Sequence, residues 1–231
     1  RRCNSRVNDW VRRPAYGHSA QERRNYTRNS PLAITHLCLL IRATLWVARV
    51  ILRVMNFSDP QSNVLQLGLR EGMKVADLGS GVGHYALSAA NIVGNTGRVY
   101  AIDVQEEVLR HLLDNAQTRG LKNIETVWGN IEKQGGTTLK EHSMDAVILS
   151  NTLFQLEDKV PAVLEIKRIL KPGGRLLVID WAGSYEGMGP HPRHVVPEPT
   201  ALELFITNGF HKLKDFRAGP HHYSIVFTAP A

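Results

Sequence analysis

The chain has 231 residues, 43% of them hydrophobic, and a formal charge of +7; that length and apolar content exclude global disorder and allow one sizeable core, with or without an extension. The charge is uneven: residues 1–54 hold 11 Arg, no Lys and two acids (Asp9 and Glu22), a net of +9, while residues 55–231 stand at −2 and give no electrostatic case for a nucleic-acid partner. Both cysteines, Cys3 and Cys38, lie before residue 55, so a disulfide framework, a thiolate metal site and a Cys nucleophile are excluded from there on.

Residues 1–30 are rich in Arg, Asn and Ser with no helical or strand period, and read as disordered. The next stretch, "PLAITHLCLLIRATLWVARVILRVM" (31–55), contains no acid. On a helix Arg42, Arg49 and Arg53 fall within about 40° of one another, leaving a narrow cationic stripe and a wide apolar face. Three readings stand side by side: an amphipathic helix on a membrane surface or docked on the main domain, a targeting segment, and translation beginning at Met55, the first Met, with 1–54 an over-extended reading frame. Arg42 and Arg49 near a bilayer centre argue against a spanning helix. Nothing demands an oxidising compartment, so a cytoplasmic chain is expected, membrane-associated if the 31–55 helix forms. The expected division is 1–30, 31–56 and a main domain over 57–231.

In the main domain strands and helices alternate. "VLQLGLREGMKVADLG" (64–79) predicts a short helix, a turn at Gly72 and a strand ending near Leu78. A helix follows from Gly83 to Val93, with Ala86, Leu87, Ala90 and Val93 on one face. Residues 97–104 are a β-branched and aromatic strand, and 105–120 a helix with acids in its first turn and Gly120 at its stop. Residues 123–130 and 143–151 are strands, the second a continuous apolar run suited to burial on both faces. A helix over 160–174 ends in Lys171-Pro172-Gly173-Gly174, and a buried strand covers 175–181. After a Gly/Pro/His-rich loop, 199–208 reads as a helix, and two strands (211–218 and 221–229) flank Gly219-Pro220 as a hairpin. Such alternation predicts a parallel sheet covered on both faces, with ligands beyond the carboxyl ends of its strands.

The stretch "KVADLGSGVGHYALSAA" (74–90) carries the chemistry. Gly79, Gly81 and Gly83 stand between the first strand and its helix, where glycine permits positive φ and close approach of a ligand, and the helix behind offers free N–H groups. A plain tight turn would look the same. The second strand, however, ends in Asp103, 20 residues after Gly83, where an acid accepts hydrogen bonds from ribose hydroxyls; an N-cap role for Asp103 is compatible with this. Asp77 ends the first strand as an anion facing the same crevice, which disfavours a pyrophosphate and favours a cationic group. A ligand with a ribose, a base and an ammonium but no phosphate fits, and S-adenosyl-L-methionine is one.

With these residues in place, 75–181 resembles the class I S-adenosylmethionine-dependent methyltransferases, of the type related to ubiquinone/menaquinone-biosynthesis and other small-molecule methyltransferases. "VADLGSGVG", "VYAIDV", "WGNIEK", "DAVILSNTLFQLED" and "LKPGGRLLVIDW" are similar to five family motifs in order. The resemblance implies an α/β fold: a Rossmann-like, doubly wound, mostly parallel seven-stranded sheet with a C-terminal antiparallel hairpin. It implies that Gly79, Ser80, Gly81 and Gly83 pack the methionine part, with Asp77 toward its ammonium. Asp103 and Val104 would take the ribose, Asn130 and Ile131 the adenine, and Ser150 and Asn151 the wall after the fourth strand. Tyr85 stands where it would touch the cofactor. The family more often has Asp at the place of Asn130, and paired His or His-Trp where this chain has Phe154-Gln155.

A methyl on a sulfonium needs alignment with its acceptor and exclusion of water more than a base. Candidates for any catalytic group lie in "DWAGSYEGMGPHPRHVVPEP" (180–199): Asp180, Tyr185, His191 and His194, with solvated loop residue as the competing reading of each histidine. The missing Cys and the Ser150-Asn151-Thr152-Leu153 sequence argue against thiol-adduct chemistry and nucleic-acid amino methylation, so a small or lipid-like acceptor leads. An RNA or protein methyltransferase and a non-catalytic nucleoside-binding module remain as alternatives; a nicotinamide oxidoreductase is disfavoured by the 79, 81, 83 glycine spacing with His at 84. No metal is expected, because His191-x-x-His194 and His221-His222 lack a nearby acid or thiol.

Overall fold

In the computed structural model, residues 58–185 and 187–231 are described; the expectations for 1–30 and 31–56 lie outside them. In chain order the elements are α1 (Pro60–Leu65), β1 (Lys74–Leu78), α2 (His84–Val93), β2 (Arg98–Asp103), α3 (Glu106–Thr118), β3 (Ile124–Trp128) and β4 (Met144–Ser150). There follow α4 (Lys159–Ile169), β5 (Leu170–Trp181), α5 (Glu198–Thr207), β6 (His211–Gly219) and β7 (His222–Thr228). The seven strands form one sheet in the order β3-β2-β1-β4-β5-β7-β6. The first five strands pair in parallel, while β7 runs antiparallel to both β5 and β6. The expected seven-stranded, mostly parallel sheet with its terminal hairpin is therefore present.

Strand order reverses at β1, which has β2 on one side and β4 on the other. Consecutive βα connections on the two sides leave that pair of carboxyl ends open, so the crevice falls there. The apolar runs are continuous because both faces are covered. Leu176 and Val178 of β5 pack with Val163, Ile166, Ala201 and Phe205 from α4 and α5. Leu177 and Ile179, pointing the other way, pack with Val64, Ala86, Ala90 and Leu112 from α1, α2 and α3. Each fully buried Leu, Ile, Val or Phe among them contributes roughly 1.5–3 kcal/mol.

Two boundaries differ from the sequence expectation. The short helix lies at Pro60–Leu65, earlier than the 64–79 stretch suggested, with proline in its first turn. The helix expected over 160–174 ends at Ile169, and Leu170 is already extended (ψ 139°). Lys171 precedes proline, which disfavours the α region there, and the Arg168 and Ile169 carbonyls accept from the N–H groups of His142 and Ser143. Lys171-Pro172-Gly173-Gly174 then forms a bulge in the β4–β5 ladder, between Leu170 paired with Met144 and Arg175 paired with Ala146.

Gly83 caps α2 with left-handed φ of 87°, and a Cβ there would lie 2.4 Å from Leu112 Cγ. Its glycine serves helix packing. Gly83→Ala is expected to lower stability by about 2–4 kcal/mol, from backbone strain plus overpacking, read as a shift of the urea midpoint with unchanged slope.

Candidate active site

A cavity of about 300 Å³ opens at the carboxyl ends of β1, β2 and β4, lined by Gly79, Gly81, Asp103, Val104, Asn130 and Ile131 among others. Six of the residues expected at the cofactor thus converge. Gly79 has φ of 70° and leaves no room for a Cβ, which would stand 2.3 Å from Thr152 Oγ1; a Cβ on Gly81 would meet nothing within 4 Å. The first glycine therefore lets the loop fold against β4, and the second keeps open space at the loop crest.

Asp103 is held for its role by backbone. Its Oδ2 accepts from Gly81 N–H (2.9 Å) and its Oδ1 from Gln105 N–H (3.0 Å). One lone pair on each oxygen remains for a ligand hydroxyl. The N-cap of α3 is Gln105, without a side-chain bond, so Asp103 is not the cap itself. Asn130 fixes its own turn by accepting from Glu132 N–H (2.8 Å). The loop beyond is tied down by buried Glu165, which binds Gly135 N–H, Thr137 and Arg168. Burial works against that charge, but Arg168, Thr137 and the two backbone donors outweigh it and bring Glu165 down to about 2.

Beside the cavity the strand ends carry polar groups without partners. Asp77 is 2% exposed, and its Oδ2, Ser80 Oγ and Asn151 Oδ1 are buried with no hydrogen bond. Ser150 Oγ likewise lacks a bond of ordinary geometry, although it stands near enough to the Tyr85 hydroxyl to influence its titration. Asn151 adopts left-handed φ of 54°, a conformation Asn tolerates better than most residues. Burial pushes the Asp77 carboxyl up to about 7; the Ala86 N–H opposes the shift and the charge of Asp103 adds to it. A buried acid that wants a cation, orphaned acceptors around it and a braced carboxylate 26 residues on fit the ammonium and ribose of S-adenosylmethionine.

The remaining expected residues fall elsewhere. Gly83 packs on Leu112, and Tyr85 is buried with its hydroxyl bonded to Ser58 (2.7 Å) and Asn63 (3.2 Å); neither lines the cavity. Asp180 is not in a loop but inside β5, fully buried, and its oxygens accept from Trp181 N–H (2.8 Å) and Phe154 N–H (3.2 Å). Burial raises it to about 6 against those donors. His191 precedes and His194 ends an exposed 3-10 turn, where both contact Arg193. Tyr185 is half-buried, its ring 4.2 Å from that of His221. Thr152 and Gln155 also line the cavity; the sequence marked both as following the fourth strand without assigning either to the cofactor. Among the described residues no group of three or more His, Cys, Asp or Glu is placed to hold a metal, and no helix is long and apolar enough to cross a membrane.

A family described as a methyltransferase domain matches residues 69–211. The ubiquinone/menaquinone biosynthesis C-methyltransferase UbiE of Haemophilus ducreyi is 35% identical over 116 residues, 50% of this chain and 44% of that protein. Its counterpart in Klebsiella pneumoniae subsp. pneumoniae is 33% identical over 116 residues, 50% and 45% of the two chains. The match therefore spans less than half the length of these curated relatives. Among solved structures, a SAM-dependent methyltransferase from Aquifex aeolicus superposes with a TM-score of 0.68 at 30% identity, covering 74% of this chain and 90% of that one. The [4+2]-cyclase SpnF reaches 0.63 at 20% identity over 74% and 80%, a likeness of fold alone.

Three outcomes are expected. Asp103→Ala weakens S-adenosylmethionine binding by roughly 1–3 kcal/mol, measured by titration calorimetry. Asp77, raised in the folded protein to about 7, destabilises the ligand-free fold most above pH 7, and the penalty is relieved as pH falls toward its unfolded value. Asp77→Asn should accordingly raise the ligand-free melting temperature more at pH 8 than at pH 5. The cationic ligand binds the ionised form, so wild-type affinity should fall as pH drops below about 7, with the trend flattened in Asp77→Asn.

Proposed function

This chain belongs to the class I S-adenosylmethionine-dependent methyltransferases, and on that premise we propose that it transfers a methyl group to a small or lipid-like acceptor by in-line displacement. The observation that carries the proposal is the buried Asp77 carboxyl with an unpaired oxygen at the β1–β4 divide, beside the braced Asp103. That pair suits a ligand with an ammonium and a ribose and repels a pyrophosphate.

When bound, the cofactor would supply a methyl already activated by its sulfonium, which an acceptor atom could take by displacing the neutral thioether. The protein's tasks are binding, alignment and exclusion of water. Asp77 would hold the ammonium, Asp103 the ribose, and Asn130 and Ile131 the adenine. Gly79 and Gly81 would let the backbone lie against the methionine part. The curated relatives are named for ubiquinone and menaquinone biosynthesis, and their chemistry suggests a quinol-type ring as acceptor, methylated at carbon. In that case the ring carbon gains the methyl and releases its proton to solvent as the ring regains aromaticity.

The test is a single-turnover reaction with methyl-labelled S-adenosylmethionine and 1,4-naphthalenediol, kept reduced. One labelled methyl on a ring carbon per S-adenosylhomocysteine formed is expected. Tight cofactor binding with no transfer to quinols would remove this acceptor class.

A further inference from the structure

One wall of the cofactor cavity, formed by Thr152, Gln155 and Leu156, is the chain leaving β4. That chain makes a single 3-10 turn, Leu153–Gln155, too short to hold its shape by its own hydrogen bonds. Within it, Gln155 N–H donates to the Thr152 carbonyl (2.9 Å). In a longer 3-10 helix Leu153 and Phe154 would donate to the carbonyls of Ser150 and Asn151. Both carbonyls are instead taken by side chains, Thr152 Oγ1 (3.0 Å) and Gln155 Nε2 (2.6 Å). The leading N–H groups of the turn therefore need an acceptor from elsewhere in the fold.

Asp180 supplies it from the neighbouring strand. Its Oδ2 accepts from Phe154 N–H (3.2 Å) and its Oδ1 from Trp181 N–H (2.8 Å). The carboxyl is fully buried, an unfavourable place for a charge, and the residues before it in β5, Leu177, Val178 and Ile179, are apolar. At the exit of the turn, Lys159 Nζ donates to the Leu156 carbonyl (2.8 Å). A carboxylate at the N–H end and an ammonium at the carbonyl end both match the polarity of the turn. The titratable groups facing Asp180 are that ammonium, at the start of α4, and the Tyr223 phenol opposite it on β7. Burial pushes Asp180 up to about 6, with the N–H groups of Trp181, Phe154 and Leu153 and then Lys159 opposing the shift. The turn also bears on the glycine loop. Thr152 Oγ1 reaches the Leu78 carbonyl (3.2 Å), and the Thr152 side chain fills the space that a Cβ on Gly79 would need.

We propose that Asp180 is a positioning residue for the cofactor: its carboxylate holds the 153–155 turn so that Thr152 and Gln155 close one side of the nucleoside cavity. The proposal rests on the S-adenosylmethionine reading above. Asp180 does not line the cavity itself; it acts through the turn. When it takes up a proton, one of its acceptor oxygens becomes a hydroxyl, the hold on the backbone N–H groups weakens, and the wall loosens.

The test titrates the full chain with methylthioadenosine, which keeps the ribose and base but has no ammonium for Asp77 to meet. A group raised to about 6 is ionised above that pH, so wild-type affinity should be level from pH 8 to 7 and fall about tenfold by pH 5, in step with the ionised fraction. The same step should persist in Asp77→Asn. Asp180→Asn should bind about tenfold more weakly at pH 8 and show no step. Its Phe154 amide should exchange hydrogen faster than in wild type at the same pH, with the Leu149 amide of β4 unchanged. Wild-type affinity that is flat from pH 8 to 5 overturns the proposal, and this arm decides even where Asp180→Asn fails to fold. So does an Asp180→Asn protein that binds as tightly as wild type, or one that keeps the step, because another group then titrates. Failure of both methylthioadenosine and S-adenosylmethionine to bind the folded wild type at any pH sinks the cofactor reading and this proposal together, whereas binding without the step sinks the proposal alone.

Discussion

Asp77 lies at the penultimate position of β1, 2% exposed, with one oxygen unpaired and the charge of Asp103 raising it further. A carboxyl in that position is unfavourable for the fold by itself. It is tolerable because β1 is locked on both sides by β2 and β4 and cannot shift to expose it. The same locking fixes where the glycine loop begins. Gly79 and Ser80 both donate to the Ile102 carbonyl, so the loop turns across the end of β2 and brings Gly81 to Asp103. The site is thus organised around one charge that the scaffold holds and does not satisfy.

The two ends of the sheet differ in this respect. At the amino end, Asp145 accepts from Lys74 N–H (2.8 Å) and pairs with Lys171, and Arg175 donates to the Leu67 carbonyl (2.7 Å). At the carboxyl end, Asp77, Ser80, Asn151 and Tyr223 each keep a buried polar atom without a partner, against Asn123 Oδ1 at the amino end among the described residues. Buried polar groups are nearly always bonded, so their concentration at one end marks the surface built to meet ligands. Stability is given up there and recovered in the two apolar faces, where Leu177, Ile179 and Val226 on one side and Phe205, Phe210 and Phe227 on the other are fully enclosed.

Much of this was legible in the sequence. Continuous apolar strands alternating with helices led to a sheet covered on both faces, and the Gly219-Pro220 signal to the terminal hairpin. The glycine turn and Asp103 located the cavity, because their local chemistry is set by residues close in sequence. Three things were not legible. The end of the 160–174 helix was misplaced because the last carbonyls are claimed by His142 and Ser143, a tertiary contact invisible locally. The three glycines looked equivalent, yet Gly83 answers to Leu112 across the fold and Gly81 to open space. The loop histidines attracted attention by type and position, whereas His191 and His194 are exposed beside Arg193.

The central claim is that the crevice at the end of β1 was shaped for a cationic, phosphate-free nucleoside. Parallel calorimetric titrations of the full chain with S-adenosylmethionine and with NADH test it most directly. Micromolar binding of S-adenosylmethionine with no binding of NADH is the predicted result. A folded chain that takes up NADH, or that takes up neither, would contradict the account.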